Sequence, residues 1–263
     1  MIDLQKITLS TATLARVAGE FIREESKKFS VDQVELKGKS DLVSYVDKET
    51  EKKLVEGLKN ILPEAGFITE ENTISQDQKA YTWVIDPLDG TTNFVHGLPT
   101  YAVSVGLMAG DVVVAGVVYE VNRDECFYAW KGGGSFLNDE PIKVTPASTI
   151  DESLFATGFP VHNFEKLHDY LAILNELMKD AHGLRRVGSA ATDMAYVACG
   201  RYEAFFEYNL NPWDVAAGVI IVQEAGGTIT DFKGQNDFLF GKEMVAAGPV
   251  HAELLKVIKK HWF

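Results

Sequence analysis

Apolar positions along the chain change period several times, and each change predicts an element. Leu14, Val17, Ala18, Phe21 and Ile22 recur at helical spacing, which predicts an amphipathic N-terminal helix with these residues inward. A polar loop follows from Glu35 to Ser40. A second helix is predicted from about Asp47 to Ile61, with Leu54, Leu58, Ile61 and Leu62 inward and Pro63 ending it. Gly66-Phe67-Ile68-Thr69 predicts a short strand that delivers Glu70 and Glu71. Tyr81 to Ile85 predicts a buried one that delivers Asp86.

From Tyr101 to Ile142 the rhythm becomes that of strands. Tyr101, Val103, Val105 and Leu107 alternate, Gly110-Asp111 turns the chain, and Val112 to Tyr119 returns it. Asn122-Arg123-Asp124 makes the next turn before Cys126 to Trp130, so an antiparallel meander is predicted. Gly132-Gly133-Gly134 reads as a turn, because no helix follows it. After residue 150 strands and helices alternate. Strands are predicted at 154–157, 184–187, 202–207, 228–232 and 244–247, with helices at 164–178, 190–198, 213–225 and 251–261. Residues 1–150 are therefore expected to form an α+β domain with the meander, and residues 151–263 an α/β domain. No linker separates them, so both are expected to close on one cleft.

Composition narrows the function classes. With 46% hydrophobic residues in 263, a sizeable core is available. Lys+Arg of 25 against Asp+Glu of 38 gives 25 − 38 = −13, and no basic run offers a nucleic-acid face. No apolar run approaches the ~18 residues of a membrane span, and the N-terminus lacks the pattern of a signal peptide. Cys126 and Cys199, without CxxC spacing, read as buried free thiols. A cytoplasmic protein without direct nucleic-acid or membrane binding is expected.

The chemistry concentrates in Asp86-Pro87-Leu88-Asp89-Gly90-Thr91-Thr92-Asn93. Carboxylates at the end of a buried strand need a cation or hydrogen bonds to offset their desolvation. The glycine and threonines that follow supply N–H groups and hydroxyls suited to an oxyanion. Carboxylates for a hard cation beside donors for phosphate predict a metal-assisted phosphate site. Glu70 and Asp214 are candidates to join Asp86 and Asp89. Asp214, at the start of an apolar helix, also reads as a plain N-cap.

Trp83 to Phe94 resembles the first signature of the inositol monophosphatase family. Trp213-Asp214-Val215-Ala216-Ala217-Gly218, continuing to Glu224-Ala225-Gly226-Gly227, resembles its second. Asp41-Leu42-Val43 with Asp47, and Phe67 to Glu71, match in order, so the resemblance spans residues 36–250. It implies a layered αβαβα sandwich, a homodimer, and Mg²⁺-dependent, lithium-sensitive hydrolysis of a small phosphate monoester. By position, Glu70, Asp86 and the Leu88 carbonyl would hold one ion, and Asp86, Asp89 and Asp214 a second. A third, weaker ion would lean on Glu70. Thr91, bonded to Asp47, would orient the attacking water with Glu70 as a base, while Gly90 and Thr91 N–H groups cradle phosphate.

For the substrate, Glu207 occupies the place of a glutamate that accepts ring hydroxyls, or is an exposed strand-end acid. Ala190 matches a backbone hydroxyl contact. Asn211 stands where animal members carry histidine, and Lys37 resembles a mobile-loop lysine. Thr92-Asn93-Phe94 leans toward inositol 1-phosphate. The alternatives are fructose-1,6-bisphosphatase, 3′-phosphoadenosine-5′-phosphate phosphatase and histidinol phosphatase activity. A regulatory partner-binding role is the non-enzymatic alternative, since bacterial members have been linked to transcription and RNA processing. His96, His162 and His182 lack metal-ligand spacing and are expected on the surface. Arg185 and Arg186 are left between substrate, subunit interface and solvated strand edge.

Overall fold

The computed structural model describes residues 2–29, 34–38, 41–160 and 163–263. His162 and the side chain of Lys37 lie outside what is described. Helix α1 (Leu4–Ser26) is capped by Asp3, whose carboxylate accepts the Lys6 N–H. Its buried face is small: Ala12, Ala15, Ala18 and Gly19, with Ile7 and Ile22 as the larger anchors. Val17, expected inward, is 57% exposed. It sits one step off the buried stripe of Ala15, Ala18 and Ile22 and so faces solvent.

The polar loop expected at 35–40 is, in its described part, a hairpin. Strand β1 (Val34–Gly38) pairs antiparallel with β2 (Asp41–Ser44). Ser44 then caps helix α2 (Tyr45–Ile61). A strand β3 (Gly66–Thr69) runs parallel to β4 (Tyr81–Asp89), which is longer than the predicted strand and ends in a bulge. A one-turn helix α3 (Thr91–Val95) leads to the meander of β5 (Ala102–Ala109), β6 (Val112–Glu120), β7 (Glu125–Trp130), β8 (Gly134–Leu137) and β9 (Glu140–Pro141). These strands form one seven-stranded sheet in the order β3-β4-β5-β6-β7-β8-β9.

The remainder alternates as expected: β10 (Leu154–Thr157), α4 (Leu167–Asp180), β11 (Gly183–Arg185), α5 (Ala190–Ala198), β12 (Ala204–Tyr208), α6 (Pro212–Glu224), β13 (Thr228–Thr230), β14 (Glu243–Ala247) and α7 (His251–Trp262). The second sheet has the mixed order β11-β10-β12-β14-β13. Helices α1 and α2 cover one face of the large sheet, α5 and α6 fill the space between the sheets, and α4 and α7 close the far side. The result is the expected αβαβα sandwich. All nine residues of α5 are buried, as are Val215 to Val222 of α6. Helices apolar on every side belong between two sheets, where no face meets water. Cys126 is buried and free; Cys199, also free, is only half-buried, because it lies at the end of α5 where the layer opens.

The position of α6 rests on two glycines. Gly106 and Gly116 face each other across β5 and β6. A Cβ on Gly116 would stand 2.5 Å from the Ala217 carbonyl oxygen, and one on Gly106 2.9 Å from the Ala216 Cβ. Gly116→Val should therefore push α6 off the sheet and destabilise the fold by about 1–3 kcal/mol, lowering the melting temperature by about 3–10 °C. Thermal unfolding of the variant checks this; an unchanged melting temperature would show that α6 does not need the close approach.

Candidate metal centre

The bulge in β4 brings Asp86 and Asp89 to one side. Three residues apart on a regular strand, they would point to opposite faces. Opposite them, Asp86 pairs with Ser104 and Asp89 with Ala102, so the strand gains one residue and resets its alternation. Pro87, which has no N–H to give to a ladder, sits in the bulge where none is needed. Asp86 is 2% exposed and one of its oxygens accepts the Leu88 N–H at 2.9 Å. Leu88 is buried, and its carbonyl oxygen lies 3.0 Å from the Thr91 hydroxyl. Gly90 turns the chain with φ 99°, a left-handed value that favours glycine, and starts α3.

Each further acid is positioned by its own element. Glu70 leaves β3 with its N–H bonded to the Ile85 carbonyl at 3.2 Å. The loop around it is clamped by Glu51 on α2. That buried carboxylate accepts the Thr69 hydroxyl at 3.0 Å, and the Glu71 N–H, Thr73 N–H and Thr73 hydroxyl at 2.7 Å each. Asp89 is gripped by the start of α5, where its Oδ2 accepts the Ser189 hydroxyl at 2.6 Å and the Ala191 N–H at 2.7 Å. Asp214 is not the N-cap of α6. It is the third residue of the helix, and its Oδ2 reaches back to accept the Asn211 N–H at 2.7 Å. The capping contact therefore leaves its other oxygen for the site, and the plain N-cap reading gives way to a capping-box position at the third helical residue.

Asp47 is fully buried. Its Oδ2 accepts the Ser44 N–H at 2.8 Å and the Ser44 hydroxyl at 2.6 Å, and its Oδ1 faces the Thr91 hydroxyl at 2.8 Å. The single Thr91 proton has two acceptors within reach, Asp47 and the Leu88 carbonyl; a carboxylate is the stronger one. With its proton given to Asp47, the Thr91 oxygen is left as an acceptor.

The electrostatics show that the four acids converge. Burial pushes Asp86 well above the ordinary carboxylate range, and the charges of Glu70, Asp89 and Asp214 push it further. Asp214 is raised to about 8 by burial and by Asp89 and Glu207, against the Asn211 N–H, which favours its charge. Asp89 rises only to about 6, because the donors from Ser189, Ala191 and Ala190 counter its burial. Both keep some surface toward the cleft, yet protein mass on all other sides disfavours charge. Asp47 is raised by its own burial.

A divalent cation fits this donor set. The groups are carboxylates and one carbonyl, all oxygen, the chemistry that Mg²⁺ prefers. Among the described residues, the Arg186 guanidinium favours the charge on Asp89. Among the described residues no three acids stand as a preformed cage. Ions that keep several waters need only two or three carboxylates each, so an open arrangement suits Mg²⁺.

A cleft of about 170 Å³ opens beside Asp89 and Asp214. Ala190, Ser189 and Glu207 line it, so the two contacts expected for the alcohol face the same space as two of the acids, whereas Gly90 and Thr91, expected at the phosphate, do not line it. Arg186 and Asp193 line it as well, and sequence reasoning had left the first open and missed the second. An acid in the first turn of an otherwise apolar helix was the available signal for Asp193. Glu51 was missed too, though it falls four residues after Asp47 on the stripe that continues through Leu54, Val55 and Leu58. His96 and His182 are exposed, as expected, and Arg185 donates to the carbonyl of Leu184.

The model of the inositol monophosphatase family matches residues 3–262, and the chain belongs to that family. It is 42% identical over 249 residues to a putative Nus factor SuhB of Neisseria meningitidis serogroup B, covering 94% of this chain and 95% of that protein. It is 38% identical over 248 residues to an inositol-1-monophosphatase of Mesorhizobium japonicum, with 94% and 93% covered. Among solved structures, the extragenic suppressor protein suhB of Bartonella henselae superposes with a TM-score of 0.90 at 38% identity, over 95% of this chain and 97% of that one.

The raised acids make stability depend on pH and metal. Asp89 and Asp214 bind protons in the fold at pH values where the unfolded chain has released them, so the native state holds more protons between about pH 4 and pH 8. Metal-stripped protein should therefore lose stability as pH rises through that window. Saturating Mg²⁺ should restore about 5–10 °C of melting temperature, and more at pH 8 than at pH 5. Thermal unfolding with EDTA and with MgCl₂ measures both; a melting temperature indifferent to Mg²⁺ at pH 8 would contradict the metal assignment.

Proposed function

We propose that this member of the inositol monophosphatase family is a Mg²⁺-dependent phosphate monoester hydrolase with inositol 1-phosphate as its best substrate. The observation that carries the reading is the convergence of Glu70, Asp86, Asp89 and Asp214 beside the Thr91–Asp47 hydrogen bond. Glu70, Asp86, the Leu88 carbonyl, Asp89 and Asp214 would hold two to three Mg²⁺ ions. When bound, these supply positive charge for the phosphoryl oxygens and lower the pKa of water.

The chain's own groups do the rest. Asp47 fixes the Thr91 hydroxyl so that its oxygen orients the attacking water, and Glu70 takes the proton that this water loses. The N–H groups of Gly90 and Thr91 hold the phosphate against the turn into α3. Glu207 and the Ala190 N–H contact hydroxyls of the alcohol. In this reading residues 1–150 carry most of the ligands and residues 151–263 complete the cleft with Asp214, Ala190 and Glu207. A homodimeric state and lithium sensitivity belong to the same reading and have the family membership as their support. Two free cysteines fit a reducing, cytoplasmic setting.

A second reading is supported by the relatives described as Nus factors: the same chain would serve as a partner-binding factor independent of hydrolysis. The two separate experimentally. Asp89→Asn keeps an acceptor for Ser189 and Ala191, so it should fold. It should lower phosphate release from inositol 1-phosphate by about 10³-fold, as loss of a central charge-stabilising group does. Near-normal turnover of Asp89→Asn in saturating Mg²⁺, or no release by the wild type from inositol 1-phosphate, fructose 1,6-bisphosphate, histidinol phosphate or 3′-phosphoadenosine-5′-phosphate, would overturn the hydrolase reading. A macromolecular partner that copurifies with both forms alike would favour the second.

A further inference from the structure

Glu51 on α2 is fully buried and does not line the cleft, yet donors from both sides of Glu70 converge on its carboxylate. They are the Thr69 hydroxyl before Glu70, and the Glu71 N–H, Thr73 N–H and Thr73 hydroxyl after it. Asn72, between the last two residues, takes φ 53°, a left-handed value, and its side chain donates to the Glu70 carbonyl at 3.0 Å. That turn aims the Glu71 and Thr73 N–H groups at one carboxylate. Backbone donors gathered in this way bind an anion, and here the protein supplies the anion itself. The neck of the loop is closed by other residues: Gln76 accepts the Thr69 N–H at 2.7 Å, and Phe67 and Asp77 exchange backbone hydrogen bonds at 2.8 and 3.1 Å. Glu51 therefore fixes the turn beside Glu70 rather than the ends of the loop.

The place of Glu51 on its helix says what the turn is held against. It lies one turn after Asp47, so the two carboxylates share one face of α2. Asp47 holds the Thr91 hydroxyl at 2.8 Å and is itself fixed by the Ser44 N–H and hydroxyl. One rigid helix thus grips both the hydroxyl that orients water and the loop that carries the metal-binding acid. Only a carboxylate serves at position 51. Its two oxygens carry no proton and accept two backbone N–H groups and two hydroxyls. A glutamine amide keeps one such oxygen, so one backbone N–H would face another N–H.

We propose that Glu51 is a positioning residue that sets Glu70 relative to Thr91, with α2 as their common frame. This role rests on the reading of Glu70 as a metal ligand and base, and it gives Glu51 no contact with metal, water or substrate. Residues that orient a metal ligand from behind commonly change affinity or activity by about 10–100-fold.

The test titrates the full chain with Mn²⁺, following the free ion by electron paramagnetic resonance, and measures hydrolysis of inositol 1-phosphate separately. Glu51→Gln should bind at least one ion about 10-fold or more weakly than wild type. In saturating Mg²⁺ it should lose about 10²-fold in kcat, with KM little changed, as a displaced group does. Its Glu71 and Thr73 amides should exchange hydrogen faster than those of wild type. Thr73→Val removes one donor from the loop and leaves Glu51 in place, so it should shift Mn²⁺ affinity the same way by a smaller factor. A merely structural role predicts a lower melting temperature with wild-type Mn²⁺ affinity in the folded fraction. That result in both variants, or in Thr73→Val alone where Glu51→Gln does not fold, would overturn the proposal. If the wild type binds Mn²⁺ but hydrolyses no ester, the hydrolase reading has failed separately and the Mn²⁺ titration still decides. If it binds no Mn²⁺, the metal reading and this role fall together.

Discussion

Asp86 cannot carry its charge alone. It is buried, and Glu70, Asp89 and Asp214 all press on it with the same sign. Two outcomes relieve that repulsion: protons on the acids, or cations among them. Much of the surrounding architecture serves to keep the acids together despite the repulsion. The β4 bulge turns Asp86 and Asp89 to one side, Glu51 clamps the loop that carries Glu70, the start of α5 grips Asp89, and the Asn211 N–H holds one oxygen of Asp214. Each clamp occupies an oxygen or a backbone group without neutralising a charge. The site is thus held open in a state that a divalent ion completes.

The same logic explains why the layers meet where they do. Helix α6 brings Asp214 to the end of β4 because Gly106 and Gly116 let it lie flat on the sheet, and Ser104 donates a hydrogen bond to the Trp213 carbonyl at 3.3 Å. Asn93 bridges the Thr100 and Val187 carbonyls, tying α3 to the segment that enters α5. Metal, phosphate and alcohol groups of a substrate would therefore be read by three elements locked to one another. Preorganisation of this kind leaves little to rearrange during reaction.

What could be read from the sequence was what is local. Asp86 to Asn93 stand together in the chain, their residue types announce their chemistry, and the strand before them is plainly apolar. The meander and the strand–helix alternation were legible for the same reason, since their periods are set by neighbours. The pairing of 34–38 with 41–44 was not, because the alternation of Val34-Glu35-Leu36-Lys37 is too short to decide a strand and the partner defines it. Glu51 and Asp193 escaped because a buried acid looks like a surface acid until its surroundings are known. Both stood in helical registers whose following members are apolar, and that conflict between charge and stripe was the trace they left.

The most direct measurement is anomalous diffraction from a crystal soaked in Mn²⁺ as a stand-in for Mg²⁺. The account predicts peaks among Glu70, Asp86, Asp89 and Asp214, with Asp86 shared between neighbouring ions. No peak there, with each acid turned to its own protein donor, would contradict it.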